Sequence, residues 1–265
     1  MSPQPYDKRF FGRITSGSYR SAEVVVPIVL DLLEPRSVVD VGCGTGAWLR
    51  AFHAHGVGEI QGIDGDYVDR AQLEIPEDRF LAADLSEGVR LDRRFDLAVS
   101  LEVAEHLPPE SAGTLVESLV ALAPAVLFSA AIPGQGGANH VNEQWADYWV
   151  GRFGEAGYAC VDCIRPRIWN DTEVQVWYAQ NIFLFVQPAV LEQRPPLAAE
   201  HQRFGNNLLS VVHPRLINRW PPRLMVRRLH RLGILTDAEL EAKLGDVERW
   251  EVEWGHVPPP KRPQA

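Results

Sequence analysis

Apolar positions along this chain follow two alternating rhythms: short β-branched runs, then longer stretches with an apolar residue every three or four positions. The first longer stretch is Ser21–Leu33, where Val24, Ile28 and Leu32 fall four apart, Ser21 stands as a cap, Glu23 lies early and Pro35 closes the pattern. Val38-Val39-Asp40-Val41 reads as a first strand, and Trp48, Leu49 and Phe52 as the apolar side of the helix that follows, ended by Gly56. Glu59–Ile63 predicts a second strand terminating in Asp64, Arg79–Ala83 a third terminating in Asp84-Leu85, and Phe95–Ser100 a fourth. A Leu- and Val-rich helix over Glu110–Leu122 leads to a fifth strand, Ala125–Ser129. The Gly- and Pro-rich stretch Ala131–His140 is a loop, and Glu143–Val150 an aromatic helix. Strands Ala159–Ile164 and Val174–Val186 follow with too little room between them for a helix of usual length, so they are expected to run antiparallel. Strands alternating with helices imply parallel β-α units and a doubly wound α/β sheet of seven strands.

Composition adds boundaries to this pattern. With 265 residues, 46% hydrophobic and 23% charged, the chain can bury a full core and reads as an ordinary globular protein. Residues 1–36 form an N-terminal arm and helix, lying either over a ligand or as a plain packing arm. Residues 37–187 carry the α/β domain, and after Pro188, Pro195 and Pro196 comes a helical extension, 188–265. That extension holds Arg215, Arg219, Arg223, Arg227, Arg228 and Arg231, interrupted by Pro221-Pro222. The arginines are either a solvated face pairing with the acidic main domain or a clamp for an anion. The extension as a whole is expected to lid the pocket or to make a homodimer. A net charge of −9, from 35 acidic and 26 basic side chains, repels polyphosphate and disfavours nucleic acid as substrate. No apolar run is long enough to span a bilayer and the start of the chain lacks a secretory pattern, so a cytoplasmic protein is expected. Cys160-x-x-Cys163 has metal-like spacing, but strand positions three apart face opposite sides and no second pair exists.

The candidate chemistry begins at Ser37–Phe52. Gly42, Gly44 and Gly46 supply the tight strand-to-helix turn where a ligand can touch backbone. A dinucleotide would use this turn together with one acid about 20 residues on, for which Asp64 would serve. Asp40, before the glycines, and Asp84, after the third strand, have no part in that scheme. S-adenosylmethionine presents an amino group, a sulfonium, two ribose hydroxyls and an adenine amine, and carboxylates at strand ends suit those groups. Val39-Asp40-Val41-Gly42-Cys43-Gly44-Thr45-Gly46 resembles the glycine-rich motif of class I S-adenosylmethionine-dependent methyltransferases. Asp64 is similar to that family's ribose-binding acid, Asp84-Leu85 to its adenine-side pair, and Phe95–Ser100 to its fourth-strand motif. The resemblance covers about residues 37–186 and implies a seven-stranded sheet with its last strand antiparallel. It also implies a cofactor site of Asp40, Gly42, Cys43, Gly44, Gly46, Asp64, Gly65, Asp84, Leu85 and Leu101.

The fourth strand leads into Glu102-Val103-Ala104-Glu105-His106, a spacing expected to put both carboxylates and the imidazole on one side of a helical turn. With His140 across the cleft, these make a ligand set for a divalent cation such as Mg²⁺, Mn²⁺ or Fe²⁺. The segment resembles the E-x-x-E-H of ubiquinone-biosynthesis O-methyltransferases. It also resembles that of enzymes methylating the 2′-hydroxyl at small-RNA ends, in which a histidine after strand five completes a metal site. Metal-free methyltransferases carry a similar segment, in which the first glutamate approaches the methionine amine and the position of His106 simply caps or packs. Without a metal, His106 or His140 is the candidate general base here, with Glu105 beside them. The aromatic residues Trp145, Tyr148, Trp149, Trp169, Trp177 and Tyr178 are candidate pocket walls, with Asn142, Glu143, Gln180 and Asn181 as polar partners. The expected activity is O-methylation of a small hydroxylated substrate, a sugar or secondary metabolite; metal-independent N- or C-methylation is the alternative.

Overall fold

The computed structural model describes residues 8–205, 208–217, 230 and 236–244. Its seven strands are β1 (Ser37–Val41), β2 (Glu59–Asp64), β3 (Phe80–Ala82), β4 (Leu97–Leu101), β5 (Ala125–Ser129), β6 (Ala159–Val161) and β7 (Phe183–Val186). They form one sheet in the order 3-2-1-4-5-7-6, in which β7 is antiparallel to both neighbours and all other pairs are parallel. This is the expected doubly wound α/β sheet. The order turns back between β1 and β4, and in open α/β sheets that point leaves a crevice at the strands' carboxyl ends.

Alternation along the central strands builds two cores. Val38, Leu97, Val99, Leu127 and Leu184 face α1 (Lys8–Leu33) and α2 (Ala47–Ala54), burying Val25, Val26, Val29, Leu49 and Phe52. Val39, Ala98, Val126, Phe128 and Phe185 face α3 (Ala112–Leu122) and α4 (Ala146–Glu155), burying Leu115, Leu119, Trp149 and Phe153. Phe153 stacks on Phe185 with centroids 4.0 Å apart. The exposed Asp96 carboxylate fixes the start of β1 beside that of β4, accepting from Arg36 N (2.8 Å), Ser37 N (3.0 Å) and Ser37 Oγ (3.1 Å). Cys160 packs against one core and Cys163 lies in the other, both as free thiols.

Several expectations need correction. The first helix starts at Lys8, not Ser21, and Pro27 lies within it. Ser21 does not cap it: its hydroxyl donates to Gly17 O (2.8 Å) and accepts from Gln175 N (3.0 Å). The deeply buried stripe is Ala22, Val25, Val26, Val29 and Leu32; of the expected positions Leu32 belongs to it, whereas Val24 and Ile28 are only partly buried against it. The aromatic helix begins at Ala146, which leaves Glu143 and Gln144 in the preceding loop. The long strand Val174–Val186 is largely absent: Val176–Asn181 forms a helix, α6, preceded by α5 (Arg165–Ile168), and only Phe183–Val186 is strand. Burial explains this, because Tyr178 and Gln180 find partners on α1 and on the 208–213 segment that a strand would not offer: Tyr178 OH meets Ser18 Oγ at 3.0 Å, and Gln180 Nε2 donates to Val211 O at 2.6 Å.

Residues 188–213, including α7 (Pro188–Gln193) and α8 (Pro195–Phe204), fall in the same compact unit as the sheet, 1–213, while 214–265 form a second unit. Within that second unit, Thr236 N and Oγ1 donate to Glu239 Oε2 (2.8 Å each) and Glu239 N returns a bond to Thr236 Oγ1 (3.3 Å). This reciprocal cap opens the helical segment 237–244. Arg219, Arg223, Arg227, Arg228 and Arg231, with the Pro-rich tail 257–263, lie outside the described residues. Among the described residues no helix is long and apolar enough to cross a membrane.

Candidate active site

The chain leaves β1 through Gly42 (φ 88°) and Gly44 (φ 54°) and enters α2 from Gly46 (φ 93°). At Gly42 an added Cβ would lie 2.3 Å from Val103 Cγ2, so both the left-handed backbone and the packing exclude a side chain. At Gly44 such a Cβ would meet nothing within 4 Å, which leaves the backbone open to the cleft. Glu74 clasps this turn: its N–H donates to Thr45 O (2.7 Å), and its carboxylate accepts from Thr45 Oγ1 (3.1 Å) and Arg50 (2.8 Å). From the end of β2, Asp64 accepts hydrogen bonds from Gly44 N and Gly65 N, each 2.6 Å, and from the hydroxyl of Tyr67.

A single cleft of about 860 Å³ opens above these strand ends. Asp40, Gly42, Cys43, Gly44, Asp64, Gly65, Asp84, Leu85 and Leu101 all line it. Gly46, of the same expected set, does not; a Cβ added there would lie 2.9 Å from Ile75 Cγ2. Burial raises the carboxyl of Asp40 well above its ordinary range, with the nearby charge of Asp64 adding to the effect. Asp84 is held low by hydrogen bonds from Ser86. Ser18 of α1 also reaches the wall, bonded to Tyr178.

Glu102, Glu105, His106 and His140 line the same cleft. They do not share one face of a helical turn. Glu102 holds a left-handed backbone (φ 56°) uncommon outside glycine, and Ala104–His106 forms a short 3₁₀ turn after it. The Glu102 carboxylate is engaged by Gln135 Nε2 (2.6 Å) and Asn181 Nδ2 (3.0 Å), donors that counter the upward pull of burial on its pKa. Glu105 is fully buried and neither of its oxygens meets a hydrogen-bonding partner. Burial first, and the Glu102 charge second, raise its carboxyl well above the usual range. His106 is lowered to about 4, chiefly by burial and then by His140, whose ring lies edge-on at 4.9 Å.

Ligand atoms of Glu105, His106 and His140 lie within 4.8 Å of one another. A fully buried carboxylate with unpaired oxygens beside two imidazoles fits a divalent cation. Glu102 is outside this group, and its oxygens are engaged by two amides. Of the six aromatic residues singled out, Trp177 and Tyr178 line the cleft. Trp145 and Tyr148 border a separate hollow of about 390 Å³, Trp149 lies in the core and Trp169 packs on His213 at 4.3 Å. Sequence reasoning missed Ser18, Trp48, Tyr67 and Gln135 as wall residues, and Glu143 as the partner of His140. The glycine-rich loop was the one available signal, and it marks Gln135 only by position.

The sequence from residue 17 to 161 matches the model of a methyltransferase domain family. No curated protein sequence matches the chain. Among solved structures, the fold is similar to that of DesVI from Streptomyces venezuelae, with 15% identity and a TM-score of 0.52 over 69% of this chain and 100% of that one. It is also similar to the sugar N-methyltransferase KedS8 from a Streptoalloteichus species, at 17% identity and a TM-score of 0.54 over 71% of this chain and 95% of that one. An O-methyltransferase family protein from Burkholderia thailandensis shares 14% identity and a TM-score of 0.50, covering 69% of this chain and 60% of its own. At these identities the likeness is one of fold alone. The family match spans more than half of the chain and takes in both the glycine turn and the Glu102–His106 segment, so the chain belongs to this methyltransferase domain family and is an S-adenosylmethionine-dependent methyltransferase.

Proposed function

We propose that the protein transfers the methyl group to a hydroxyl of a small hydroxylated acceptor, a sugar or secondary metabolite. The reading rests on one observation: Glu105, His106 and His140 converge at the edge of the cleft whose other residues suit the methyl donor. An amine in its neutral form brings a lone pair to the sulfonium methyl and can shed its proton afterwards, whereas a hydroxyl must lose its proton as its oxygen attacks. A carboxylate and two imidazoles meet the stricter demand of the second case. Asp64 and Asp84 would hold the ribose and adenine ends of the cofactor, and Gly42 to Gly44 its amino-acid tail. As the new C–O bond forms in line, the S–C bond breaks and the sulfonium becomes a neutral thioether. With no metal bound, the hydroxyl proton passes to the Nε2 lone pair of His140; with that lone pair on a cation, the proton would leave to solvent. A divalent cation held by Glu105, His106 and His140 would lower the hydroxyl pKa and fix neighbouring substrate oxygens. The protein's own contribution is orientation within a cleft that must hold donor and acceptor together.

The test is formation of S-adenosylhomocysteine against a panel of sugars, phenols and amines. Turnover is expected with a hydroxylated acceptor, to be abolished by EDTA, restored by Mg²⁺ or Mn²⁺, and not restored in Glu105→Ala. Full activity in EDTA removes the metal from this reading, and turnover confined to amines removes the hydroxyl.

A further inference from the structure

Three donors converge on one carboxylate in the loop after β5. Glu143 Oε1 accepts from Gly136 N at 2.8 Å and pairs with His140 Nδ1 at 3.0 Å, while Oε2 accepts from Gly134 N at 2.9 Å. The pair is well shielded, with side-chain exposures of 10% for His140 and 13% for Glu143. An ionised carboxylate only accepts, so the proton between the two belongs to Nδ1, and in the neutral ring Nε2 is left with its lone pair. Gly137 leaves room for that second nitrogen. A Cβ built there would lie 2.1 Å from His140 Nε2 and 2.6 Å from Cε1, space that any other residue would fill.

From this geometry we infer that Glu143 is the positioning residue of the acceptor site. Its carboxylate sets the tautomer of His140 and, through the Gly134 and Gly136 amides, pins the glycine loop that carries it. One carboxylate therefore fixes both the chemical state and the place of the imidazole. The inference deepens the proposed function, since it rests on His140 serving there as base or ligand. A glutamine at 143 cannot substitute, because it offers one oxygen to three donors that now share two.

Two measurements on full-length protein test it. Long-range ¹H–¹⁵N correlation of histidine-labelled protein at pH 8 should find the His140 proton on Nδ1 in the wild type and shifted toward Nε2 in Glu143→Gln. Calorimetry with Mn²⁺ should find affinity reduced roughly 10- to 100-fold in Glu143→Gln. Affinity for S-adenosylhomocysteine should stay within about twofold, which certifies the fold. Gly137→Ala, whose Cβ would displace the His140 ring, should lose Mn²⁺ affinity. An Nε2 proton in the wild type, or a tautomer unmoved by Glu143→Gln, overturns the role of Glu143. Absence of Mn²⁺ binding by the wild type overturns the metal reading instead, and the tautomer comparison still decides on Glu143.

Discussion

Asp64 and Glu105 are both buried carboxylates on the cleft wall, and their surroundings give them opposite characters. Asp64 is surrounded by donors, from Gly44, Gly65 and Tyr67, whereas neither oxygen of Glu105 completes a hydrogen bond. If Asp64 receives the cofactor's ribose, as proposed above, an arriving hydroxyl finds one of its acceptor positions taken by the Tyr67 hydroxyl. Tyr67 is 58% exposed and its ring folds back over Gly65, where a Cβ would lie 2.1 Å from the ring carbon Cε1. That hydrogen bond and the glycine's missing side chain both favour the folded position. Tyr67→Phe is therefore expected to bind S-adenosylhomocysteine two- to tenfold more tightly, in line with about 0.5–1.5 kcal/mol for one net hydrogen bond. Calorimetric titration of both proteins checks this. Weaker binding by the phenylalanine variant would mean that the hydroxyl helps to hold the cofactor rather than competing with it.

The elements beyond β5 owe their conformation to partners far away in the chain. Arg165, at the start of α5, makes two bonds to Asp162 (2.8 and 2.6 Å), donates to Gln180 O (3.2 Å) and Leu209 O (3.0 Å), and lies 4.1 Å over the Phe183 ring. One guanidinium thus ties together the end of β6, α6, β7 and the 208–213 segment. Both side chains of the ion pair are under 5% exposed (3% and 4%), so loss of Arg165 would strand a buried carboxylate. Arg165→Ala should lower unfolding free energy in urea by about 3–5 kcal/mol, and the paired change Asp162→Leu with Arg165→Met should recover most of it. A loss below about 1 kcal/mol would show that water reaches Asp162 without difficulty.

The same dependence sets what could be read from the chain beforehand. β1, β2 and β5 end where their apolar runs end, because a strand buried on both faces needs nothing but β-branched and aliphatic side chains. The segment Val174–Asn181 carries the same local signal and folds as α6, since Ser18, Val211 and His213 complete its polar groups and none of them is near in sequence. In the candidate site, Asp40, Asp64 and Asp84 were legible because each terminates a strand or precedes the glycine turn. Gln135 was not, and Asn181 was legible as a polar group but not as a partner of Glu102, since these links span 33 and 79 positions and follow no spacing rule. Glu143 stood beside His140 in the sequence, but within an expected helix. With the helix starting at Ala146, its carboxylate turns back onto the loop.

For the molecule as a whole, ionisable groups buried around the sheet tie its stability to pH. Cys160 and Cys163, packed with opposite cores, are each pushed up to about 12 by burial, as is the Tyr178 hydroxyl, and Cys43 beside the cleft is raised well above its ordinary value. In the unfolded chain these thiols titrate near their ordinary value of about 8.5. Below that pH both states keep their protons and the stability is complete. Above it the unfolded chain releases protons that the folded chain retains, so stability falls until the folded thiols ionise near 12. Each thiol contributes a slope of about 1.4 kcal/mol per pH unit once the unfolded form is fully ionised. Urea unfolding at pH 7.5, 8.5, 9.5 and 10 should show little change over the first interval. Two thiols alone should then remove about 2–3 kcal/mol per unit at the upper end. Cys160→Ala with Cys163→Ala should start from a lower plateau, since a buried sulfur is lost from each core, yet decline more gently. Because the two thiols belong to the two faces of one sheet, the singly substituted proteins should each lose part of the slope. A wild-type stability that is level to pH 10, or a slope unchanged in the double variant, would mean that these thiols ionise in the folded protein and that its cores admit water at the sheet edge.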